Sequence, residues 1–329
     1  GTLVSAPFYF RDIQGIVVGS SEKSSRQESL KLKNIRSVIE EKFLSENQIK
    51  LARKIAEYYF APLGSVLKLM VPKVVKQRDK NRKISKISKK TGKIGEEALK
   101  IINSKNNKFL LVGSGKKREK INADLIRECL KSGKQCLMLA PEIFFSHGVY
   151  EKLNAQFSEE IALIHSKITK GRFFDQWSRI KKGEIKIVIA SKQGIFLPFS
   201  DLRLVIVHDE QDISFKQWES MPRYSGVRGA EFLAEITGAK LVLESFAPSA
   251  ESLQRAKNRE IEIVKTKIDK SDFPKVEITS LEKEKNNPDF PISSMLYGRL
   301  AEIVKSKKQA VVFVNRRGFS TRTTCENCK

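Results

Sequence analysis

Acidic side chains are scarce in this chain: 38 Asp and Glu stand against 62 Lys and Arg, a formal excess of +24. That imbalance does not select a fold, but its field attracts polyanions. Nucleic acid or an anionic membrane surface therefore leads the partner classes, with acidic proteins third. Long hydrophobic runs are missing too. No stretch approaches the roughly 18 apolar residues of a membrane span, and the first residues lack the basic, apolar, small-residue order of a secretory signal. The expectation is a soluble, cytoplasmic protein with no membrane partner. Cysteine is rare, at 4 of 329 residues, and Cys129 and Cys136, in helix-like and strand-like surroundings, read as reduced structural residues of a cytosolic protein. With 10 Pro and 18 Gly and 40% hydrophobic residues, the chain is neither fibrous nor disordered throughout, and its length suggests about two domains.

The chain opens on Gly1 and closes at Cys325-Glu-Asn-Cys328-Lys329, inside a C-x-x-C knuckle, so a fragment of a longer protein is expected at both ends. Near the start, Leu3 to Phe8 and Gly15 to Val18 read as short strands with a turn at Arg11-Asp12 between them, a small β module. Ser45 to Tyr59 carries Ile49, Leu51, Ala52, Ile55, Ala56 and Tyr59 at amphipathic-helix spacing, with Ser45 and Gln48 placed as a capping box and Pro62 and Gly64 ending the run. From Pro72 to Lys93 there are ten Lys or Arg and one acid, the text of a solvated basic linker. Beyond it, the runs Phe109 to Val112, Gln135 to Ala140, Ile161 to His165, Ile185 to Ala190, Leu204 to His208 and Lys240 to Leu243 alternate with helical segments such as Ile121 to Leu130, Arg172 to Lys181 and Val227 to Ile236. Alternation of this kind predicts a parallel sheet with helices on both faces. A second α/β unit starts near Val276, with a helix from Ile292 to Val304 and a strand from Ala310 to Val314.

In such sheets, ligands bind at the carboxyl ends of the strands. The first run is followed by Gly113, Ser114, Gly115 and Lys116, the tail of a phosphate loop. In G-x-x-x-x-G-K-[ST], amide N–H groups cradle phosphates, the lysine reaches the β and γ oxygens, and the hydroxyl holds magnesium. Here Leu110 takes the place of the first glycine and Lys117 that of the hydroxyl, so a plain Gly- and Lys-rich turn is an equal reading of this stretch alone. The run Val205-Ile-Val-His208 delivers Asp209-Glu-Gln-Asp212, a Walker B arrangement in which Asp209 positions magnesium and Glu210 activates water.

In order, these motifs resemble the primosomal protein N′ (PriA) family of bacterial replication-restart DNA helicases. Val4-Ser-Ala-Pro-Phe8, Gly15-Ile-Val-Val18, Ile55-Ala-Glu-Tyr-Tyr59 and Pro62-Leu-Gly64 are similar to its 3′-end DNA-binding domain. Gly113-Ser-Gly-Lys116, Ala140-Pro-Glu-Ile143, Ile164-His-Ser166, Asp209-Glu-Gln-Asp212, Phe215-Lys-Gln217, Arg223-Tyr224 and Ala247-Pro-Ser249 resemble motifs of its first helicase lobe. Val314-Asn-Arg-Arg-Gly-Phe319 joined to Cys325-x-x-Cys328 resembles its second-lobe entry and first zinc knuckle, the most specific of the matches. The resemblance implies an α/β fold: a 3′-end DNA-binding-like domain over 1–70, a basic linker over 71–94, a RecA-like helicase lobe over 95–265, and the start of a second lobe with a zinc knuckle over 266–329. It implies ATP with Mg²⁺ at Gly113, Ser114, Gly115 and Lys116, with Asp209 and Glu210 catalytic. It implies Zn²⁺ at Cys325 and Cys328 in the full-length protein, and forked or single-stranded DNA at Lys216, Arg223, Arg316 and Arg317. Primosome or single-strand-binding proteins are the implied protein partners, and 3′-to-5′ unwinding the implied activity.

The departures fall together on the nucleotide-linked and coupling motifs. The family's winged helix is replaced by the linker, the phosphate loop is short, Glu96 or Glu97 stands for an adenine-reading glutamine, Ser245-Phe-Ala247 replaces S-A-T, and Ala190-Ser-Lys-Gln193 replaces G-T-R-S. An ATPase would also need an arginine finger from beyond Lys329. Each lost donor to a charged transition state costs a factor of roughly 10² or more, so weak or absent turnover is expected, and the alternative is a helicase-fold DNA-binding scaffold. A degraded product without a role is the bland third reading, opposed by the regular alternation of elements. Outside the motifs, His147, His165 and His208 read as capping, polar-core or strand-end residues and Trp177 as packing. Trp218 reads as packing or as a base-stacking side chain.

Overall fold

The computed structural model describes residues 1–20, 33–72, 93–141, 143–157, 161–267, 274–284 and 292–313, without the side chains of 143–146 and 283. Two compact units emerge, Gly1–Ile268 and Asp269–Lys329.

The first unit begins with a three-stranded antiparallel sheet in the order β2-β1-β3, made by β1 (Leu3–Phe8), β2 (Arg11–Ile16) and β3 (Ser37–Glu40). The turn between β1 and β2 is not at Arg11-Asp12. Phe8 pairs with Arg11 across a two-residue loop at Tyr9 and Phe10, and Tyr9 takes a left-handed φ of 54°. Asp12 is instead held within the sheet face by Arg36 Nη1, at 2.7 Å. Helix α1 (Glu46–Tyr58) follows with its capping box formed: Gln48 N donates to Ser45 Oγ, and Ser45 N donates to Gln48 Oε1. Pro62 does more than end that helix. It precedes α2 (Leu63–Met70), as a residue with fixed φ and no N–H suits a helix start. Most of the expected basic linker lies outside the described residues.

Next come α3 (Glu96–Asn103), β4 (Lys108–Val112), α4 (Gly115–Lys131), β5 (Gln135–Leu139), α5 (Ile143–Gln156), β6 (Ile161–Ile164), α6 (Lys170–Lys181), β7 (Ile187–Ala190), β8 (Leu202–His208), α7 (Gly226–Thr237), β9 (Lys240–Ser245), α8 (Ala250–Lys257) and β10 (Glu262–Lys265). The seven strands form one sheet, β10-β4-β9-β8-β5-β7-β6, with every neighbouring pair parallel. Side chains alternate across it. Leu110, Leu137, Leu139, Val205, Val207, Leu241 and Leu243 join a core that includes Leu51 and Ile55 of α1 and Phe232 of α7. Phe109, Leu111, Met138, Ile206 and Val242 face a second core with Ile101 of α3 and Ile121, Leu125 and Ile126 of α4. The expected parallel sheet with helices on both faces is what this sequence builds.

The N-terminal elements and the large sheet therefore share one core. Gln48 Nε2 donates to the Phe196 carbonyl at 3.1 Å, Trp177 Nε1 to the Met70 carbonyl at 3.2 Å, and Ser225 N to Tyr59 Oη at 3.0 Å. Phe43 stacks on Trp177 with centroids 5.1 Å apart. In the second unit, the described elements are a 3-10 turn at Leu281–Glu284 and α9 (Ser294–Lys305). Residues 310–313 are not in a strand, contrary to the expected run from Ala310 to Val314; apolar β-formers become a strand only where a partner accepts their backbone hydrogen bonds. No described helix is long and apolar enough to cross a membrane.

Candidate nucleotide corner and nucleic-acid interface

Strands β4, β8 and β9 are neighbours, and the residues after them meet at one corner of the sheet. After β4 the chain makes almost no loop. Ser114 is the N-cap and α4 begins at Gly115, six residues before the helix read from apolar spacing. The first turn hid its helicity because Lys116, Lys117, Arg118, Glu119 and Lys120 are good helix formers that carry no apolar periodicity. The Gly113 amide is already spent, donating to the Ser245 carbonyl at 3.2 Å. A Cβ on Gly113 would sit 2.1 Å from Thr266 Oγ1, so only glycine fits under the end of β10. Gly115, Lys116 and Lys117 are exposed.

Asp209 follows β8 with a left-handed φ of 50°, a conformation that costs an Asp less than most residues. Its carboxylate meets Arg118: Nη1 donates to Oδ1 at 2.8 Å, and the arginine side chain is 6% exposed. The same guanidinium lies 4.0 Å from Oε1 of Glu244, whose side chain on β9 is wholly buried. Glu244 also accepts from Asn122 Nδ2 at 2.8 Å and bonds His208 Nδ1. His208 Nε2 is 3.4 Å from Asp209 Oδ2. Burial alone would lower the His208 pKa, but the hydrogen bond and charge of Glu244, with the charge of Asp209, outweigh it and raise the pKa above the ordinary imidazole value.

Glu210, the adjacent carboxylate, points elsewhere. It is buried and accepts from Ser249 N at 2.7 Å, Ser249 Oγ at 2.9 Å and Ser252 Oγ at 3.0 Å. This fastens the Ala247-Pro-Ser249 turn and the N-terminus of α8. Four buried side-chain polar atoms of the corner have no partner: Arg118 Nε, Asn122 Oδ1, Ser245 Oγ and Thr266 Oγ1. The other lobe motifs gather beside it. Ser214 Oγ donates to the Pro141 carbonyl at 2.9 Å, and Lys192 Nζ donates to the carbonyls of Ser214 and Lys216 at 2.9 and 3.2 Å. Burial lowers the Lys192 pKa. His165, by contrast, follows the edge strand β6, its ring 5.4 Å from that of His147.

A magnesium–nucleotide pair needs an Asp209 able to take the ion, a hydroxyl after Lys116 and amides that face the phosphates. Asp209 is instead paired with Arg118, Lys117 stands at the hydroxyl position, and the Gly113 amide is bonded within the sheet. These residues do not fit that group. Sequence reasoning missed Arg118, Asn122, Glu244 and Ser252, because nothing in a single polar residue of a helix or strand announces that it will be buried.

The comparisons with known proteins bear on the whole chain. Residues 1–72 match the family model described as 3′DNA-binding domain (3′BD), PriA_3primeBD. A protein named replication restart protein PriA from Rickettsia felis is 28% identical over 337 residues, covering all of this chain and 51% of its own length. Over its whole length, this chain is similar to that protein. A Bacillus subtilis protein of the same name is 31% identical over 224 residues, 67% of this chain and 28% of its own length. The chain thus spans about half the length of the first of these relatives. Among solved structures, RecG bound to a three-way DNA junction is similar, with a TM-score of 0.41 and 20% identity over 57% of this chain and 27% of that one. In this chain, exposed Lys216 and Arg223 lie on one loop closed by a bridge between Lys216 and Ser225. Exposed Trp218 stands between them in sequence, 6.0 Å from Lys216 Nζ to the ring centroid. Arg316, Arg317, Cys325 and Cys328 lie outside the described residues.

Proposed function

We propose that this chain binds forked or single-stranded DNA in replication restart, as a cytoplasmic protein, and that its nucleotide turnover is weak or absent. The observation that carries the DNA-binding reading is the 3′ DNA-binding match over residues 1–72 in a chain of net charge +24. Lys216, Arg223 and Trp218 add a cationic loop with an exposed aromatic surface on which a base can stack. The weak-turnover part rests on the missing hydroxyl at Lys117 and the spent Gly113 amide. ATP-driven unwinding, the family's activity, is the second reading, and Asp209 with Glu210 favours it by position alone. Zinc belongs to the whole protein: Cys325 and Cys328 offer two of the four ligands a structural zinc takes. Primosome or single-strand-binding proteins are the proposed partners.

The experiment is a fluorescence-anisotropy titration with forked and 3′-ended DNA over a range of salt. Log affinity should fall linearly with log salt, by about 0.9 per neutralised duplex phosphate. Lys216→Ala and Arg223→Ala should each reduce the magnitude of that slope. Affinity independent of salt, or no binding at low salt, would refute the reading.

A further inference from the structure

Arg118 is the buried charge that the expected chemistry does not use. It belongs to the first turn of α4, and its guanidinium reaches across the carboxyl ends of two adjacent strands, bonding Asp209 at 2.8 Å and lying 4.0 Å from Glu244. His208 and Glu244 are register partners on those strands, Asp209 follows at the end of β8, and the His208 ring contacts both carboxylates. A buried carboxylate beside a half-buried one repels it unless a cation neutralises them, and here Glu244 is buried and Asp209 half-buried. In a metal-dependent corner of this type, a divalent ion supplies that charge and arrives and leaves with its ligand. A guanidinium tethered to a helix does neither.

We infer that Arg118 is a built-in replacement for the divalent cation of this corner, its guanidinium holding Asp209 and Glu244 so that their charges are met without metal or nucleotide. This deepens the weak-turnover reading and rests on it. The corner then has a single state, and DNA affinity does not respond to magnesium or ATP.

The test is thermal unfolding of the whole protein in EDTA, in millimolar magnesium chloride, and in sodium chloride of matched ionic strength. The wild-type Tm should not change between magnesium and the matched salt. Arg118→Ala should melt several degrees lower in EDTA and recover part of that loss in magnesium but not in sodium, because the freed carboxylates accept a hard cation. Adding Asp209→Asn should abolish the recovery. If Arg118→Ala does not fold in EDTA, Arg118→Gln, which keeps most of the bulk and removes the charge, is measured in the same way. A magnesium-specific rise in the wild-type Tm that Asp209→Asn abolishes would overturn the inference. So would an arginine variant that recovers nothing in magnesium. In the same preparations, DNA-stimulated ATP turnover would sink the weak-turnover reading. Background turnover with no magnesium recovery would sink only the role given to Arg118.

Discussion

The seam between the N-terminal helices and the large sheet is held mainly by apolar packing with neutral hydrogen bonds across it, whereas the corner at Asp209 is built from charged side chains. At the seam, Gln48, Tyr59 and Trp177 each bridge the two parts with a hydrogen bond, within an apolar core that includes Leu51, Ile55 and Phe232. At the corner, Arg118 Nε, Asn122 Oδ1, Ser245 Oγ and Thr266 Oγ1 are buried without partners. Apolar packing tolerates drift in sequence as long as volume is kept. A charged constellation does not, because each carboxylate needs its own partner. The apolar core can therefore keep its architecture through changes that the charged corner would not survive unaltered.

Trp177→Ala removes a side chain stacked on Phe43 and bonded to Met70 and should cost about 3–5 kcal/mol in urea unfolding. It should also loosen the N-terminal module, so limited proteolysis should cut near residues 60–72 sooner than in wild type. At the corner, Arg118→Ala in EDTA should cost about 3 kcal/mol, since it leaves the buried Glu244 and the half-buried Asp209 without their shared cation. The double change with Asp209→Asn should cost less than the sum of the two single changes. Glu210→Gln comes next. It weakens charge-assisted bonds from Ser249 and Ser252 and should cost about 1–3 kcal/mol, with amide exchange at the start of α8 as the local readout.

The smallest effect concerns acid. Glu235 on α7 is bonded by Lys108 Nζ at 2.7 Å and by Lys54 of α1. Partial burial would raise its pKa, but the hydrogen bonds and charges of the two lysines outweigh that and hold it below the ordinary value of 4.5. The stabilisation is therefore present above the unfolded carboxyl's pKa and is lost as pH falls through the lower folded one. Glu235→Gln should remove that share of the acid sensitivity, about a few tenths of a kcal/mol for so exposed a pair, seen as a flatter stability profile below pH about 5.

The sequence exposed the features that depend on local pattern. Ser45 and Gln48 announced the start of α1, and the alternating runs from Phe109 to Leu243 announced a parallel sheet, because capping and apolar periodicity are local. Strand β3, exposed at all four residues, offered no alternation to read. Helix α2 was hidden behind Pro62, which starts a helix as readily as it stops one. Arg118 and Glu244 were illegible for another reason. They lie 126 residues apart, 244 − 118, and become a site only when α4 is laid across β8 and β9.

Whether the corner turns over nucleotide is decided by ATP hydrolysis measured with and without forked DNA, beside Asp209→Asn, in a preparation whose salt-sensitive DNA binding has been measured. Binding with turnover at background, unchanged by DNA and by the substitution, is the expected result. Turnover that DNA stimulates and Asp209→Asn abolishes would contradict it, and would mean that Arg118 yields its partner to a metal ion.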